Sequence, residues 1–182
     1  MNKRHVSVSG VRLKFASAHM ATLGNELEPL HGHNYSVSVK VEGSLTNDFW
    51  VIDFSKIKGI TRDICDQLDH KFLLQAKSNL LSSTLEQETW HLSFDNRVYQ
   101  LPQSDVAVLA IENTTAELLA EWICHQIDKE LLHNKQANIT LITVEVEKCQ
   151  VNLADSNWKD LSSRTKCKSI GNRQLIKFFL TY

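Results

Sequence analysis

His31-Gly32-His33-Asn34-Tyr35-Ser36-Val37-Ser38-Val39-Lys40-Val41-Glu42 is the stretch on which the fold turns. Tyr35, Val37, Val39 and Val41 alternate with Ser36, Ser38, Lys40 and Glu42, the period-two pattern of a half-buried antiparallel strand. Upstream, residues 5–19 read as a second strand with a slip in it. Val6 and Val8 hold one parity, Val11, Leu13 and Phe15 the other, and Ser9-Gly10 stands at the change, where a glycine suggests a bulge or bend. Residues 20–30 are irregular.

Downstream, Asp53 is placed to cap a helix whose stripe is Phe54, Ile57, Ile60, Ile64 and Leu68, spaced by three and four. Residues 73–85 are polar and read as a loop. A hairpin is expected around Asp95-Asn96, pairing Trp90 with Leu101, Leu92 with Tyr99 and Phe94 with Arg97. A second helix opens at Thr114-Thr115-Ala116-Glu117, where Thr114 and Glu117 have capping-box spacing. Its stripe is Ala116, Leu119, Ile123, Ile127 and Leu131, and residues 138–147 alternate as a last strand. The order is strand, strand, helix, small hairpin, helix, strand. This is an α+β domain over residues 1–149, with an insertion hairpin at about 84–102 and an extension over 150–182.

The extension has a different charge from the rest. From Gln150 onward six Lys and Arg face two Asp. Two readings stand for it: a segment docked by its terminal aromatics, or basic residues approaching an anionic ligand or an acidic neighbouring subunit. Over all 182 residues, 20 Lys and Arg balance 21 Asp and Glu, for a net charge of −1. That speaks against a dedicated nucleic-acid binder, which would carry a basic excess. The longest apolar run, Val106 to Ile111, falls far short of the ~18 residues of a membrane helix. The basic start leads into alternating Val and Ser rather than an apolar signal core. Cys65, Cys124, Cys149 and Cys167 lie far apart with no CxxC pair, so a reducing cytoplasm is the expected setting.

The chemistry concentrates in histidines. His31 and His33 are two apart, so in extended backbone both side chains face one way. His19 ends the first strand in phase with Leu13, Phe15 and Ser17. If those strands pair, three imidazoles converge, and three neutral His ligands with an open fourth position describe a catalytic zinc site. An H-x-H pair alone also arises from ordinary surface or core histidines. Asp69-His70 follows the first helix. A carboxylate there could set the imidazole tautomer for proton transfer, or the pair could merely decorate a helix C-terminus, where a His is favoured.

Phe15-Ala16-Ser17-Ala18-His19, Leu30-His31-Gly32-His33-Asn34-Tyr35, Val51-Ile52-Asp53-Phe54, Leu68-Asp69-His70 and Asn113-Thr114-Thr115-Ala116-Glu117 together resemble the 6-pyruvoyl-tetrahydropterin and 6-carboxytetrahydropterin synthase family. The resemblance covers residues 5 to about 148. It implies a T-fold, an antiparallel four-stranded sheet with two helices on one face, assembled into a barrel that is usually hexameric. It further implies zinc on His19, His31 and His33, a proton-relay pair in Asp69 and His70, and a pterin site lined by Thr114 and Thr115. The implied activity is a lyase acting on the side chain of 7,8-dihydroneopterin triphosphate.

Two positions depart from the family pattern. Common members carry a nucleophilic or basic cysteine four residues before the HGH, where this chain has Leu27. Glu28-Pro29-Leu30-His31 instead resembles a subgroup in which glutamate replaces that cysteine and the product is 6-hydroxymethyl-7,8-dihydropterin; the insertion hairpin also resembles that subgroup. In the last strand Lys148 stands where the family has a glutamate gripping the pterin's N–C–N edge, and a lysine has only donors. Either Glu147 takes that role after a local shift, or the ligand is not an ordinary pterin. The alternative function is a catalytically silent, zinc-ordered T-fold binding a pterin or purine-like ligand.

Overall fold

The alternating stretch forms one 13-residue strand, His31–Gly43, at the centre of the largest sheet. In the computed structural model the described residues are 4–133, 138–149 and 175–181. The chain runs β1 (Arg4–Val8), β2 (Lys14–His19), the short pair β3 (Thr22–Leu23) and β4 (Glu26–Leu27), then β5 (His31–Gly43) and α1 (Phe54–Leu68). It continues through β6 (Lys71–Gln75), β7 (Ser82–Glu86), β8 (Thr89–Phe94), β9 (Arg97–Pro102) and β10 (Val106–Leu109). The last elements are α2 (Ala116–His133), β11 (Ile139–Cys149) and β12 (Leu175–Thr181).

The slip expected within residues 5–19 is a looped-out segment. β1 and β2 both pair antiparallel with the same edge of β5, Val8 opposite Val39 and Lys14 opposite Ser36. Residues 9–12 loop out between them, Leu13 O already accepting from the Val37 N–H of β5 at 2.8 Å, and Gly10 takes a φ of +139°, which favours glycine because it has no Cβ. Val11, placed by its parity with the buried set, is exposed as a result. On the other edge of β5 lies β11, antiparallel, and beyond it β12, also antiparallel. These four lanes are the antiparallel sheet of a T-fold. The tail therefore ends as a sheet strand; the readings of its basic residues lie outside the described residues.

Several elements differ from the sequence reading: β3 and β4 lie in the stretch that reads as irregular, β10 and β12 are strands the pattern does not predict, and β6 and β7 fall where the sequence reads as a loop. Residues 71–75 are a strand, not a loop, and β6 runs parallel to both β2 and β10. Phe72, Leu73, Leu74 and Gln75 are all buried, and a short strand covered on both faces carries no alternation to read. The mostly exposed residues of β7 give no apolar signal. It joins β8 and β9 in a separate three-stranded sheet, and the β8–β9 register pairs Trp90 with Leu101, Leu92 with Tyr99 and Phe94 with Arg97, as expected.

Both helices pack on one face of the large sheet. Ile57, Ile64 and Leu68 of α1 and Leu119, Ile123, Ile127 and Leu131 of α2 share one core with Tyr35, Val37, Val39 and Val41. Phe54, first in the expected stripe, is exposed, because the helix begins there; Asp53 caps it by accepting from the Ser55 N–H at 2.8 Å. A second apolar cluster lies under the three-stranded sheet, where Met20, Leu27, Phe72, Leu74, Leu81 and Leu92 are buried together. No helix among the described residues is long and apolar enough to cross a membrane.

Candidate metal centre

The register of β2 against β5 sets His19 opposite His31 and Ser17 opposite His33. Directly paired residues share a face, and β5 alternates, so all three imidazoles emerge on the face that also carries Tyr35. Their ring centroids lie 4.5 Å (His19–His31), 5.3 Å (His19–His33) and 4.8 Å (His31–His33) apart. One ligand nitrogen from each lies within 4.8 Å of the others. Gly32 lets the backbones approach this closely: a Cβ there would stand 3.2 Å from Ser17 O.

Hydrogen bonds choose which nitrogen each ring offers. Gln75 donates from Nε2 to Thr22 Oγ1 and Ser78 Oγ, which turns its Oε1 toward Thr114. The Thr114 hydroxyl donates to that oxygen at 3.3 Å and accepts from His19 Nδ1–H at 2.9 Å. Nε2 of His19 is thereby left with its lone pair, and the Tyr35 hydroxyl lies 3.4 Å from it. His31 donates from Nδ1 to Pro29 O at 2.8 Å, leaving Nε2 free. His33 Nε2 is buried and has no hydrogen-bond partner among the described residues. Such an orphan is costly unless something absent fills it.

The electrostatics favour neutral rings. Burial, then the neighbouring His31, Lys148 and His33, lowers the pKa of His19 to about 3. Burial, Lys148 and His31 also lower His33, against a smaller opposing effect of Glu28. A neutral imidazole is the form that coordinates a metal. The donor set, its tautomers and the unpartnered His33 nitrogen thus fit a single divalent ion, with His19, His31 and His33 holding it.

Glu28 is brought to this cluster: its Oε2 stands 3.8 Å from His31 Nε2. Leu27 is not. Its side chain is buried in the second apolar cluster, so a thiol at this position would point into that cluster and not toward the imidazoles. Cys65 and Cys124 are likewise buried, with thiols pushed up to about 12, chiefly by burial.

Asp69 and His70 stand at the other edge of β2. Asp69 Oδ1 accepts from the Ala16 N–H at 2.7 Å and Oδ2 from His70 Nδ1–H at 2.8 Å. Burial pushes this carboxyl up, but the bonds from Ala16 and His70 outweigh it and hold it below its usual value. The His70 ring is 82% exposed, and its backbone sits in the left-handed region at φ 56°, a sparsely populated state for a non-glycine residue. A cavity of about 530 Å3 is lined by both His70 and His33.

The remaining expected residues fall differently. Thr114 is fully buried, and its hydroxyl is spent on His19 and Gln75. The cap of α2 falls one residue later, where Thr115 Oγ1 accepts from the Leu118 N–H at 3.4 Å. In the last strand Lys148 pairs with Tyr35 and Glu147 with Ser36. Alternation therefore puts Lys148 on the face of the histidines and Glu147 on the opposite face, away from them. Gln75 and Arg97 carry roles no motif signalled: Gln75 holds Thr114 and Arg97 the backbone of Leu27 and Glu28, each far away in sequence.

Similarity to known proteins bears on the family and the fold. The family model described as 6-pyruvoyl tetrahydropterin synthase matches residues 10–157. A Methanocaldococcus jannaschii protein provisionally assigned as a 6-carboxy-5,6,7,8-tetrahydropterin synthase is 37% identical over 135 residues, 74% of this chain and 83% of that protein. The dihydroneopterin monophosphate aldolase of Pyrococcus furiosus is 37% identical over 68 residues, 37% of this chain and 58% of the relative. Among solved structures, 6-pyruvoyl tetrahydropterin synthase of Plasmodium vivax superposes with a TM-score of 0.79 at 25% identity, covering 100% of both chains. A variant of that protein replaces a glutamate, described as catalytic, by alanine.

Proposed function

Because the chain belongs to the 6-pyruvoyl tetrahydropterin synthase family, we propose that it is a zinc-dependent lyase that cleaves the side chain of 7,8-dihydroneopterin triphosphate and releases 6-hydroxymethyl-7,8-dihydropterin. One observation carries this reading: the group facing the histidine cluster is the Glu28 carboxylate, while the side chain at the usual cysteine position is buried elsewhere. The aldolase name of the Pyrococcus furiosus relative supports cleavage in preference to phosphate elimination.

His19, His31 and His33 hold the metal, which when bound polarises the side-chain hydroxyls and makes their neighbourhood more acidic. Glu28 takes the proton of the hydroxyl on the second side-chain carbon. That carbon becomes a carbonyl as its bond to the first side-chain carbon breaks, and the electron pair passes into the ring's imine. His70 returns a proton to the first side-chain carbon, its Nδ1–H held by the ionised Asp69 so that Nε2 does the transfer. Thr114 acts through His19, fixing its tautomer. Thr115 and Glu147 are assigned to the pterin only through an assembly, because Glu147 lies on the far face of its own sheet.

Such an assembly is proposed to be a homohexamer in the cytoplasm. Its support is that, among the described residues, the large sheet ends at β10 and β12, edges that invite pairing, and that Phe49, Trp50 and Phe54 are exposed. Sedimentation at micromolar concentration is expected to give a hexamer, and a stable monomer would remove the shared site.

The activity test is direct. Zinc-loaded protein is incubated with 7,8-dihydroneopterin triphosphate and the products are read by mass spectrometry. The expected product is 6-hydroxymethyl-7,8-dihydropterin. A 6-pyruvoyl or 6-carboxy product would overturn the cleavage step within the same family, and retained ligand without turnover would replace the enzyme by a pterin binder.

A further inference from the structure

The three-stranded insertion carries a cation that no motif accounts for. Arg97 opens β9 across from Phe94, and its guanidinium carbon lies 5.0 Å from the centroid of the Phe94 ring, within cation–π range. From there it reaches out of the insertion to the chain that precedes the histidine strand. Nη2–H donates to Leu27 O at 2.6 Å and Nη1–H to Glu28 O at 3.2 Å. Two successive carbonyls are thus gripped by one planar fork, a geometry a lysine cannot reproduce.

The same two residues are held twice more. The Glu28 N–H donates to Ala21 O at 2.8 Å, and the Leu27 side chain is buried with Met20, Phe72, Leu74, Leu81 and the insertion's Leu92. Burial of a leucine side chain and a hydrogen bond from a charged donor are anchors of comparable strength. The local hairpin contributes little by itself, since β3 and β4 pair over only two residues each. The insertion therefore supplies the Arg97 fork and part of the apolar cover over residues 27–28.

We infer that Arg97 is a positioning residue: docked on Phe94, it fixes the backbone of Leu27 and Glu28 so that the Glu28 carboxylate stands beside His31. The inference rests on reading Glu28 as the base. It makes the insertion sheet part of the catalytic apparatus, acting from outside the metal centre. A base displaced by about 1 Å loses on the order of 10² in rate.

The test compares Arg97→Ala, Glu28→Gln and the double variant in the zinc-loaded protein, with Val98→Ser, on an exposed position of the same strand, as control. Arg97→Ala is expected to lower kcat about 10- to 100-fold with KM and zinc content unchanged, and added methylguanidine, below denaturing concentration, to restore part of the loss. The double variant should be no slower than Glu28→Gln alone. Amide hydrogen exchange at Glu28 should accelerate in Arg97→Ala and not in Val98→Ser. A KM increase at constant kcat would make Arg97 a substrate-phosphate contact and overturn the inference. So would rate losses that multiply in the double variant, or unchanged exchange at Glu28. If Glu28→Gln proves silent, it is the base assignment that has failed, and the exchange measurement alone decides whether Arg97 holds the segment.

Discussion

Glu28→Gln is expected to slow turnover by about 10²–10⁴-fold, the usual scale of general-base catalysis, with zinc content unchanged. The substitution keeps size and hydrogen-bonding capacity and removes only the negative charge, so the metal, held by three imidazoles, has no reason to leave. Glu26 supplies the contrast. It is exposed on β4 and stands two residues further from the histidine strand than Glu28, whose carboxylate is the one 3.8 Å from His31. Glu26→Gln should be nearly silent. Steady-state rates of the two variants, read alongside metal content by mass spectrometry, decide the matter. Loss of turnover in Glu26→Gln with full activity in Glu28→Gln would mean the wrong carboxylate has been chosen. Full activity in both would move the base to Asp69-His70.

His31→Ala and His33→Ala should each abolish stoichiometric zinc and turnover together. Two imidazoles leave only two of the three protein ligands an open tetrahedral site needs, and at these two positions the loss is separable from folding because both rings are only partly buried. His19→Ala is the poorer test: its ring is fully buried and bonded to Thr114, so its removal strands that hydroxyl and opens a cavity. Metal analysis of the purified variants, with thermal unfolding as the control for folding, reads the result. Stoichiometric zinc retained in the His31→Ala/His33→Ala double variant would defeat the metal assignment.

Much of this protein was legible in local pattern. The alternation through Tyr35–Val41 located the central strand, steps of three and four located both helices, and the Asp95-Asn96 turn placed the hairpin register correctly. Spacing put His31 and His33 on one face of their strand and His19 on the buried parity of its own; their convergence waited on β2 pairing with β5. In each case the information sits within a few residues, where backbone periodicity converts spacing directly into facing.

What lay beyond such windows was decided by tertiary structure. β6 is buried on both faces, so its apolar run had no period to betray it, and β7 is too polar to signal a strand at all. Thr114 had the spacing of a helix cap, yet burial beside His19 and Gln75 claimed its hydroxyl, and the cap passed to Thr115. Leu27 and Glu28 are adjacent in sequence but have opposite fates, one buried in the second apolar cluster and one presented to the histidine cluster. Glu147 and Lys148 are sorted to opposite faces by a register that neither residue sets. Arg97 reaches Leu27 and Glu28 across about 70 positions. Contacts of that range depend on which surfaces the chain can bury and which polar groups it must then satisfy, and a chain settles both only when it has folded around them.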